Sequence, residues 1–335
     1  MTPARPLAVY TDVDDLDAAP GVETLMAAGL DVVVLETRDP DVILAAAAGA
    51  TALLVGYAPV TAAMLEAMPV LRVISLLSMG SDGIDVPAAT QRGIWVANIT
   101  DVATAEVATH AWALTLSLVR CLPFFQTGAQ TTTPDGADAG WLARPDRLPR
   151  RLSDLTVGLI GLGRIGTAFA AMAAGQVGSI IAHDPFVCDG SWPAGVQPAA
   201  LDDVVATADI LSLHVPLTDE TRHLVNADLL SRLKFGSYLV NVSRGGLVDS
   251  TALAASLCAG HLAGAALDVL DVEPPPADHP LLGLPNVILT PHIGYLSDVT
   301  VRAYIDHQAA NVVSWLQTGR PLTPVNAPAA GRSTA

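Results

Sequence analysis

The segment Val157-Gly158-Leu159-Ile160-Gly161-Leu162-Gly163-Arg164-Ile165-Gly166 decides the fold of the larger part of the chain. Its first four residues are typical of a buried strand, and a helical pattern, Thr167 to Ala174, follows its last glycine. A Gly-x-Gly-x-x-Gly turn in this context predicts a dinucleotide site, because its glycines allow a tight turn, an approaching pyrophosphate and close helix packing. An ordinary strand-to-helix turn is the alternative. The residues predicted to bind the cofactor here are Gly161, Gly163, Arg164, Ile165 and Gly166.

A carboxylate stands at the end of the next predicted strand. Asp184 follows the run Ser179 to His183, eighteen residues after Gly166. A carboxylate in this position accepts hydrogen bonds from the adenosine ribose and repels a 2′-phosphate, so the sequence favours NAD over NADP. The alternative is that Asp184 only initiates an Asp-Pro turn.

Outward from this turn, strand-like runs alternate with helical patterns along most of the chain, which predicts an α/β fold with parallel sheets. The first series of predicted strands is Leu7 to Tyr10, Asp31 to Leu35, Thr51 to Val55, Arg72 to Leu76 and Ile94 to Ala97. The second series is Thr156 to Ile160, Ser179 to His183, Ile210 to His214, Ser237 to Val242, Gly264 to Val269 and Asn286 to Leu289.

Three further segments are assigned from their patterns. A helix is predicted from about Thr104 to Leu122, and a last helix from about Asp298 to Gln317, which Gly319-Arg320-Pro321 would end. Between them, Gln126 to Arg151 has almost no periodicity and is expected to be an exposed connection. The apolar stretches Val42 to Val60 and Ala105 to Leu122 are interrupted by glycine, proline or charged residues, which favours core elements over membrane spans.

Composition excludes several classes of function. The chain has 335 residues, 51% of them apolar, and 33 acidic against 17 basic side chains, a net charge of −16. Such a chain can bury a large core, and with a single lysine, Lys234, it is not expected to bind nucleic acid or an anionic membrane.

The start of the chain does not resemble a signal peptide. Three scattered cysteines without metal-ligand spacing favour the cytoplasm and no metal site.

Four blocks of sequence resemble the D-isomer-specific 2-hydroxyacid dehydrogenases. They are Ala208 to Thr218 (ADILSLHVPLT), Asn241 to Gly246 (NVSRGG), Ala266 to Val269 with Glu273-Pro274, and Thr290 to Gly294 (TPHIG). Met79 to Asp85 (MGSDGID) resembles the Gly-rich substrate loop of that family, and Pro324-Val325-Asn326 resembles its C-terminal ending. The order of these blocks along about 250 residues makes the resemblance specific.

The resemblance implies an arrangement of domains that composition alone does not give. It implies two doubly wound domains, with a Rossmann coenzyme domain, residues 103–295, inserted into a flavodoxin-like substrate domain, residues 1–102 and 296–335. Hinges near Val102 and Tyr295 and a cleft that closes on the substrate are then expected. A homodimer formed through the coenzyme domains is also implied, in which the segment Gln126 to Arg151 can take part.

The chemistry of a 2-hydroxy acid requires a base, a cation and a held nicotinamide. His292 suits the acid/base role because imidazole titrates near neutral pH, and Glu273 can orient the ring and stabilise its protonated form. The guanidinium of Arg244 suits the substrate carboxylate and carbonyl. The catalytic His, Glu and Arg of the family match these three positions, although each side chain alone also fits a structural role.

The remaining site residues come from the same resemblance. Asp268 is expected to contact the nicotinamide carboxamide, with a turn cap as the alternative. Groups near the cofactor are expected at His214, Val215, Pro216 and Val242. Other histidines, such as His110 and His261, have no partner pattern and are expected to be structural, as is the side chain of His214. The substrate is expected to meet the backbone amides of Ser78, Met79 and Gly80, and side chains of Tyr57, Met79 or Tyr295.

The predicted function is hydride transfer between NAD(H) and a small, non-phosphorylated D-2-hydroxy or 2-oxo acid. No Arg or Lys lies between Arg38 and Arg72, where phosphoglycerate-type members carry phosphate-binding cations. A phosphoglycerate-type or glyoxylate/hydroxypyruvate-type dehydrogenase and an NAD-sensing corepressor remain the alternatives. The related formate dehydrogenases carry Gln at the position of Glu273, which argues against that activity; phosphite dehydrogenases share the same scaffold.

Overall fold

The computed structural model describes residues 5–13, 16–131, 140–188 and 190–328, which divide into two compact units. One unit contains the residues up to Ala103 together with those from Leu296 onward, and the other is Thr104–Tyr295. The chain therefore leaves the first unit once and returns to it near its end.

The first unit is built on five parallel strands. Their bounds are β1 Leu7–Tyr10, β2 Asp31–Val34, β3 Ala50–Val55, β4 Val73–Leu76 and β5 Trp95–Ala97, and the helices between them are α1 Ala19–Ala27, α2 Pro40–Ala47, α3 Ala62–Ala67 and α4 Val86–Gln91. The strand order is β2-β1-β3-β4-β5, with every pair parallel. This is the flavodoxin-like doubly wound order, as predicted.

Local sequence signals explain where these helices begin. The side chains of Asp39, Thr61 and Asp85 cap α2, α3 and α4 by accepting a hydrogen bond from an amide in the first turn. Leu53, Leu54 and Val55 of β3 are buried, since helices cover both faces of the central strands. The stretch Val42 to Val60 is therefore a helix and a core strand.

The second unit contains seven parallel strands. Its helices are α5 Thr104–Val119, α6 Leu122–Gln130, α7 Arg164–Ala173, α8 Leu201–Thr207, α9 Ala227–Arg232 and α10 Ser250–Cys258, and its strands are β6 Thr156–Ile160, β7 Ser179–His183, β8 Val196–Pro198, β9 Ile210–Leu213, β10 Tyr238–Asn241, β11 Gly264–Leu267 and β12 Val287–Leu289. The order β12-β11-β10-β9-β6-β7-β8 is that of a Rossmann sheet. Its strand order reverses between β6 and β9, which is where such sheets bind dinucleotides.

The last helix, α11 Thr300–Thr318, belongs to the first unit. Gln308 fixes it to the five-stranded sheet, because its buried amide nitrogen donates to the carbonyls of Val55 and Ser75. The helix ends at Gly319, which has a left-handed φ of 78°. This confirms the predicted stop and shows which sheet the helix covers.

Two predictions about the second unit were wrong in detail. Strand β8 was missed, because three residues ending in Pro198 at a sheet edge leave almost no pattern. The helix predicted to reach Leu122 ends at Val119, and after Cys121, which has a φ of 54°, a new helix α6 begins. The first five residues of the predicted connection, Gln126 to Gln130, are therefore helical, and residues 132–139 of it lie outside the described residues.

Among the described residues, no single helix is long and apolar enough to cross a membrane; only α5 and α6 taken together, bent by 65° at their junction, pass that test of length and composition.

Candidate active site

The predicted functional residues of the second unit lie at one edge of its sheet. The turns that follow β6, β9, β10, β11 and β12 contain Gly161, His214, Arg244, Glu273 and His292, respectively. Because all seven strands are parallel, these turns leave from the same carboxyl edge. The fold thus gathers residues that are more than 130 positions apart in the sequence.

The glycine turn has the backbone geometry that its sequence predicts. Gly161 has a φ of 92°, and a Cβ there would collide with the carbonyl group of His214. A Cβ on Gly166 would meet the carbonyl of Gly161. Gly163, which caps α7, has no neighbouring atom within 4 Å of its Cβ position, so its backbone is open to a ligand. These residues fit a pyrophosphate at the amino end of α7.

Asp184 connects the end of β7 to this turn. Its Oδ2 accepts a hydrogen bond from the Leu162 amide (2.7 Å), and its Oδ1 accepts one from the Phe186 amide (2.9 Å). The predicted Asp-Pro turn is therefore present, but the carboxylate also touches the glycine turn. Each oxygen retains a lone pair that can accept a ribose hydroxyl.

His214 contributes its backbone to this region and not its imidazole. The ring packs 5.2 Å from the Phe169 ring, its Nε2 is 3.0 Å from the Ser212 hydroxyl, and burial lowers the pKa of His214 to about 4. The prediction that its side chain is structural agrees with this position. The neighbouring Val215 contacts the glycine turn, Pro216 is exposed and Val242 is buried next to the Arg244 turn.

Arg244 lies in a turn that Asn241 shapes. The Asn241 side chain accepts from the Ser243 amide (3.0 Å) and donates to the Arg244 carbonyl (2.8 Å). The Ser243 hydroxyl donates to the carbonyl of Leu213 at the end of β9 (2.9 Å). These bonds fix the backbone from which the half-exposed Arg244 guanidinium extends.

Glu273 and His292 form a direct hydrogen-bonded pair. His292 Nδ1 is 2.7 Å from Glu273 Oε2, and Glu273 Oε1 accepts from the Leu270 amide (2.8 Å). Both side chains are about one-third exposed, at 29% and 35%. The carboxylate is thus held on one side by backbone and orients the imidazole on the other, as acid/base chemistry requires.

The loop that carries Glu273 is held by close backbone packing and by hydrogen bonds of Asp271. A Cβ on Gly245 would overlap the backbone of Leu270, so the two loops approach as closely as glycine permits. Asp271 Oδ1 accepts from the Ser250 hydroxyl (3.0 Å) and lies 2.9 Å from Nε2 of the buried His279. The position of Glu273 therefore depends on packing as well as on its own hydrogen bonds.

Asp268 is buried between the Glu273 loop and the His292 turn. Its carboxylate accepts hydrogen bonds from the Thr290 hydroxyl and from the amides of Ile293 and Gly294. Burial raises the pKa of Asp268, but hydrogen bonds from His110, Thr290, Gly294 and Ile293 outweigh it and hold that pKa below its ordinary value. The turn-cap role is therefore present in the structure.

The predicted substrate loop lies in the first unit. The Ser78 hydroxyl donates to the Gly80 carbonyl (2.7 Å), and the Asn98 side chain donates to the Met79 carbonyl (2.7 Å). The carbonyls of the loop thus have partners, while within the described ranges no acceptor is found for the amides of Met79 and Gly80. Such amides are suited to an anion.

A cation lies beside Tyr57, contrary to the expectation from its sequence neighbours. The Arg38 guanidinium is 5.0 Å from the centre of the Tyr57 ring, and its Nε is 3.0 Å from Asp12. The buried Asp12 carboxylate also accepts from the amides of Gly56, Tyr57 and Ala58. Arg38 reaches this place from the turn after β2, which the sequence of the β3 turn does not reveal.

Tyr295 is the half-buried last residue of the second unit. In the part of the chain that the structure describes, no three His, Cys, Asp or Glu side chains are arranged to hold a metal ion.

The family model described as "D-isomer specific 2-hydroxyacid dehydrogenase, NAD binding domain" matches residues 112–294. The glyoxylate reductase of Thermofilum pendens is 36% identical over 273 residues, which are 80% of this chain and 78% of that protein. The chain belongs to the D-isomer-specific 2-hydroxyacid dehydrogenase family. The D-3-phosphoglycerate dehydrogenase of Mycobacterium tuberculosis H37Rv is 37% identical over 278 residues, 82% of this chain, and the chain spans only about half (51%) of its length.

Two solved structures agree with the fold. The NADPH-dependent glyoxylate/hydroxypyruvate reductase of Sinorhizobium meliloti, in complex with NADP and malonate, has a TM-score of 0.84 at 35% identity and covers 96% of this chain and 97% of that one. D-lactate dehydrogenase from Aquifex aeolicus, complexed with NAD and lactic acid, has a TM-score of 0.86 at 27% identity and covers 96% and 100%.

Sequence reasoning missed several residues at this candidate site. Thr290 was part of a quoted motif but had no assigned role, and His110 was expected to be structural only. Their contacts join α5 to the end of β12 across 180 positions, so no local pattern marks them. Asn241 alone had a local signal, since an Asn three residues before Arg244 can cap its turn.

The His214 ring, whose Nδ1 is buried, predicts a specific pH dependence of stability. Its pKa is about 4 in the folded protein and about 6.5 when unfolded, so below pH 6.5 the unfolded chain binds a proton that the folded one does not. Stability contributed by the neutral ring is complete above pH 6.5 and is lost as the pH falls toward 4. Between pH 8 and pH 5 the loss is about 2 kcal/mol.

Urea unfolding at both pH values measures this loss. His214→Asn should show a pH-dependent change smaller than the wild type by about 2 kcal/mol, whereas His223→Asn, at an exposed histidine, should behave as the wild type. Equal pH dependence in all three proteins would contradict the prediction.

Proposed function

We propose that the chain is an NAD-dependent D-2-hydroxyacid dehydrogenase, acting as a 2-oxoacid reductase. The observation that carries the proposal is the 2.7 Å hydrogen bond between Glu273 and His292 at the sheet edge that also bears Arg244 and the glycine turn. A carboxylate-oriented imidazole, a guanidinium and a dinucleotide turn together match hydride transfer to a 2-oxo acid.

The proposed roles follow from the chemistry of each group. A bound nicotinamide supplies or accepts the hydride. His292 exchanges the hydroxyl proton through Nε2, since Nδ1 is bonded to Glu273. Glu273 stabilises the imidazolium that forms during oxidation of the alcohol. Arg244 binds the carboxylate and carbonyl oxygens of the substrate and polarises the carbonyl for hydride attack.

The proposed substrate is a small, non-phosphorylated 2-oxo acid. The amides of Ser78, Met79 and Gly80 bind its carboxylate, and its side chain lies near Tyr57, Met79 or Tyr295. The charge of Arg38 beside Tyr57 is balanced by Asp12 at 3.0 Å, which supports an uncharged side chain over a phosphate.

NAD is the proposed cofactor. Asp184 supports it, because a carboxylate 2.7 Å from the Leu162 amide stands beside the glycine turn, where a 2′-phosphate would be repelled. The proposed contacts with the cofactor also include the backbone near His214, Val215, Pro216 and Val242, together with Arg164, Ile165 and the side chain of Asp268. The second unit is the coenzyme domain in this proposal, and the first unit is the substrate domain.

A homodimer is proposed through α6 and the segment that follows it. Leu122 and Phe124 on α6 are 50% and 40% exposed, and Trp141, Leu142 and Leu148 are 66–72% exposed. Exposed apolar side chains at this density favour an interface. The same segment carries the exposed Arg144 and Arg151 in a chain of net charge −16, so a second acidic copy is the complementary partner.

A cytoplasmic location is proposed as well, supported by the free thiols of Cys121, Cys188 and Cys258. The expected lack of nucleic-acid, membrane and metal partners stays a prediction from the sequence.

Activity should depend on His292. With NADH and a panel of 2-oxo acids that includes pyruvate, hydroxypyruvate, glyoxylate and 3-phosphohydroxypyruvate, His292→Ala should lower kcat by about 10²–10⁴-fold. NADH binding, followed by fluorescence, should be retained. His223→Ala removes another histidine with a positive φ in the same unit and should keep the wild-type kcat. A wild type that binds NADH but reduces no acid of the panel would support a sensor instead, and best turnover of 3-phosphohydroxypyruvate would contradict the proposed substrate class.

Coenzyme preference should depend on Asp184. The variant Asp184→Asn removes the charge that repels a 2′-phosphate, so the ratio of kcat/KM for NADH to that for NADPH should fall about tenfold or more. Asp203→Asn changes an exposed carboxylate of the same unit and should leave the ratio unchanged. An unchanged ratio in Asp184→Asn would remove the basis for assigning NAD.

The oligomeric state should depend on the exposed residues after α6. Light scattering coupled to size-exclusion chromatography should give a dimer mass for the wild type and a lower mass for Trp141→Ser/Leu142→Ser, whose dimer dissociation constant should rise at least about tenfold. Phe186→Ser removes an aromatic side chain that is 90% exposed outside this segment and should remain dimeric. A monomeric wild type would overturn the proposal.

A further inference from the structure

Asp268 makes several of the hydrogen bonds that hold the turn carrying His292. Asp268 Oδ1 accepts from the Thr290 hydroxyl (2.6 Å) and the Ile293 amide (3.0 Å), and Oδ2 accepts from the Gly294 amide (2.8 Å). The main-chain carbonyl of Asp268 accepts from the His292 amide (2.8 Å). Residues on both sides of the acid/base histidine are therefore bonded to Asp268.

This turn needs such support because its backbone is unusual. His292 has a φ of 55°, in the left-handed region that a residue with a Cβ rarely adopts. A Cβ on Gly294 would come within 2.8 Å of Asp268 Oδ2, so the carboxylate packs closely against the turn, and it would be in ordinary contact, at 3.5 Å, with His110 Cδ2. Without these contacts, the turn can relax and move the His292 ring.

His110 on α5 completes this hydrogen-bond network. Its Nε2 is 2.9 Å from Thr290 Oγ1 and 3.3 Å from Asp268 Oδ1. The hydroxyl of Thr290 has one hydrogen, which it donates to Asp268, so Oγ1 must accept from His110. Nε2 of His110 therefore carries a proton, and it is the one side-chain donor that reaches this network from a helix within the described residues.

Removal of the His110 side chain is expected to change the position of His292. Asp268 is 3% exposed, so water does not readily replace a lost donor near its carboxylate. Weaker bonding of Thr290 and Asp268 would loosen the amides of Ile293 and Gly294, which follow His292 directly. The Glu273–His292 pair lies at the other end of this chain of contacts.

We propose that His110 is a positioning residue for His292, acting through Thr290 and Asp268 to hold the left-handed turn in the geometry that acid/base catalysis needs. The inference deepens the proposed function and rests on it for its catalytic consequence. His110 itself is not proposed to contact the substrate.

Two variants separate positioning from general packing. His110→Leu fills a similar volume but removes the donor, whereas the side-chain nitrogen of Gln in His110→Gln can donate at the place of Nε2. His110→Leu should lower kcat about 10- to 100-fold with less than a threefold change in the NADH dissociation constant, and His110→Gln should recover most of kcat. His261→Leu, which removes a histidine bonded to the Leu233 carbonyl elsewhere in the unit, should keep kcat.

Amide hydrogen exchange tests the same network without any turnover. In His110→Leu, the Ile293 and Gly294 amides should exchange at least tenfold faster than in the wild type, while amides of α10 stay unchanged; His110→Gln should restore the protection. If the wild type reduces no 2-oxo acid, the proposed function fails, and exchange alone still decides the positioning role. Unchanged exchange in His110→Leu, or equal loss of kcat in the Leu and Gln variants, would overturn the inference.

Discussion

The buried charge of Asp268 is the constraint on which the rest of the site depends. Taking a carboxylate out of water costs several kcal/mol unless donors replace the lost solvent. Besides His110, the donors here are the Thr290 hydroxyl and the amides of Ile293 and Gly294, so most of the groups that compensate the charge also shape the His292 turn. The hydrogen bonds that compensate the buried charge of Asp268 thereby also fix the backbone geometry at His292.

A second constraint comes from close backbone approach. Because Gly245 has no side chain, the backbone of Leu270 can approach it closely, and the Leu270 amide donates a hydrogen bond to Glu273. A glycine in the Arg244 turn therefore helps to position the carboxylate that orients His292. Gly161 admits the carbonyl of His214 in the same way. Adjacent turns at the sheet edge therefore fix one another, and the three proposed catalytic side chains share a rigid base.

The sequence predicted what depends on local pattern and missed what depends on distant contact. Parallel strands that are buried on both faces appear in the sequence as apolar runs, so both sheets were predicted. The glycine turn and Gly319 are local backbone signals, so the dinucleotide turn and the end of α11 were predicted as well. Strand β8 and helix α6 were missed because their formation depends on a sheet edge and on a turn at Cys121. His110 beside Asp268 and Arg38 above Tyr57 belong to the same class, since each side chain reaches its partner from a different element.

The proposed ligands are anionic, whereas the chain is acidic. With a net charge of −16, the overall field opposes a 2-oxo acid and a dinucleotide, but charges farther than about 10 Å are largely screened at physiological salt. Local groups in each unit then decide the potential where a ligand is proposed to bind. In the second unit these groups are the amino end of α7, the Arg244 guanidinium and the backbone amides of the glycine turn; in the first unit they are the amides of the Ser78 loop, whose carbonyls Ser78 and Asn98 already bind. Backbone amides dominate this list. A positive potential built from them needs no excess of lysine, so a chain with one lysine can bind the proposed anionic ligands.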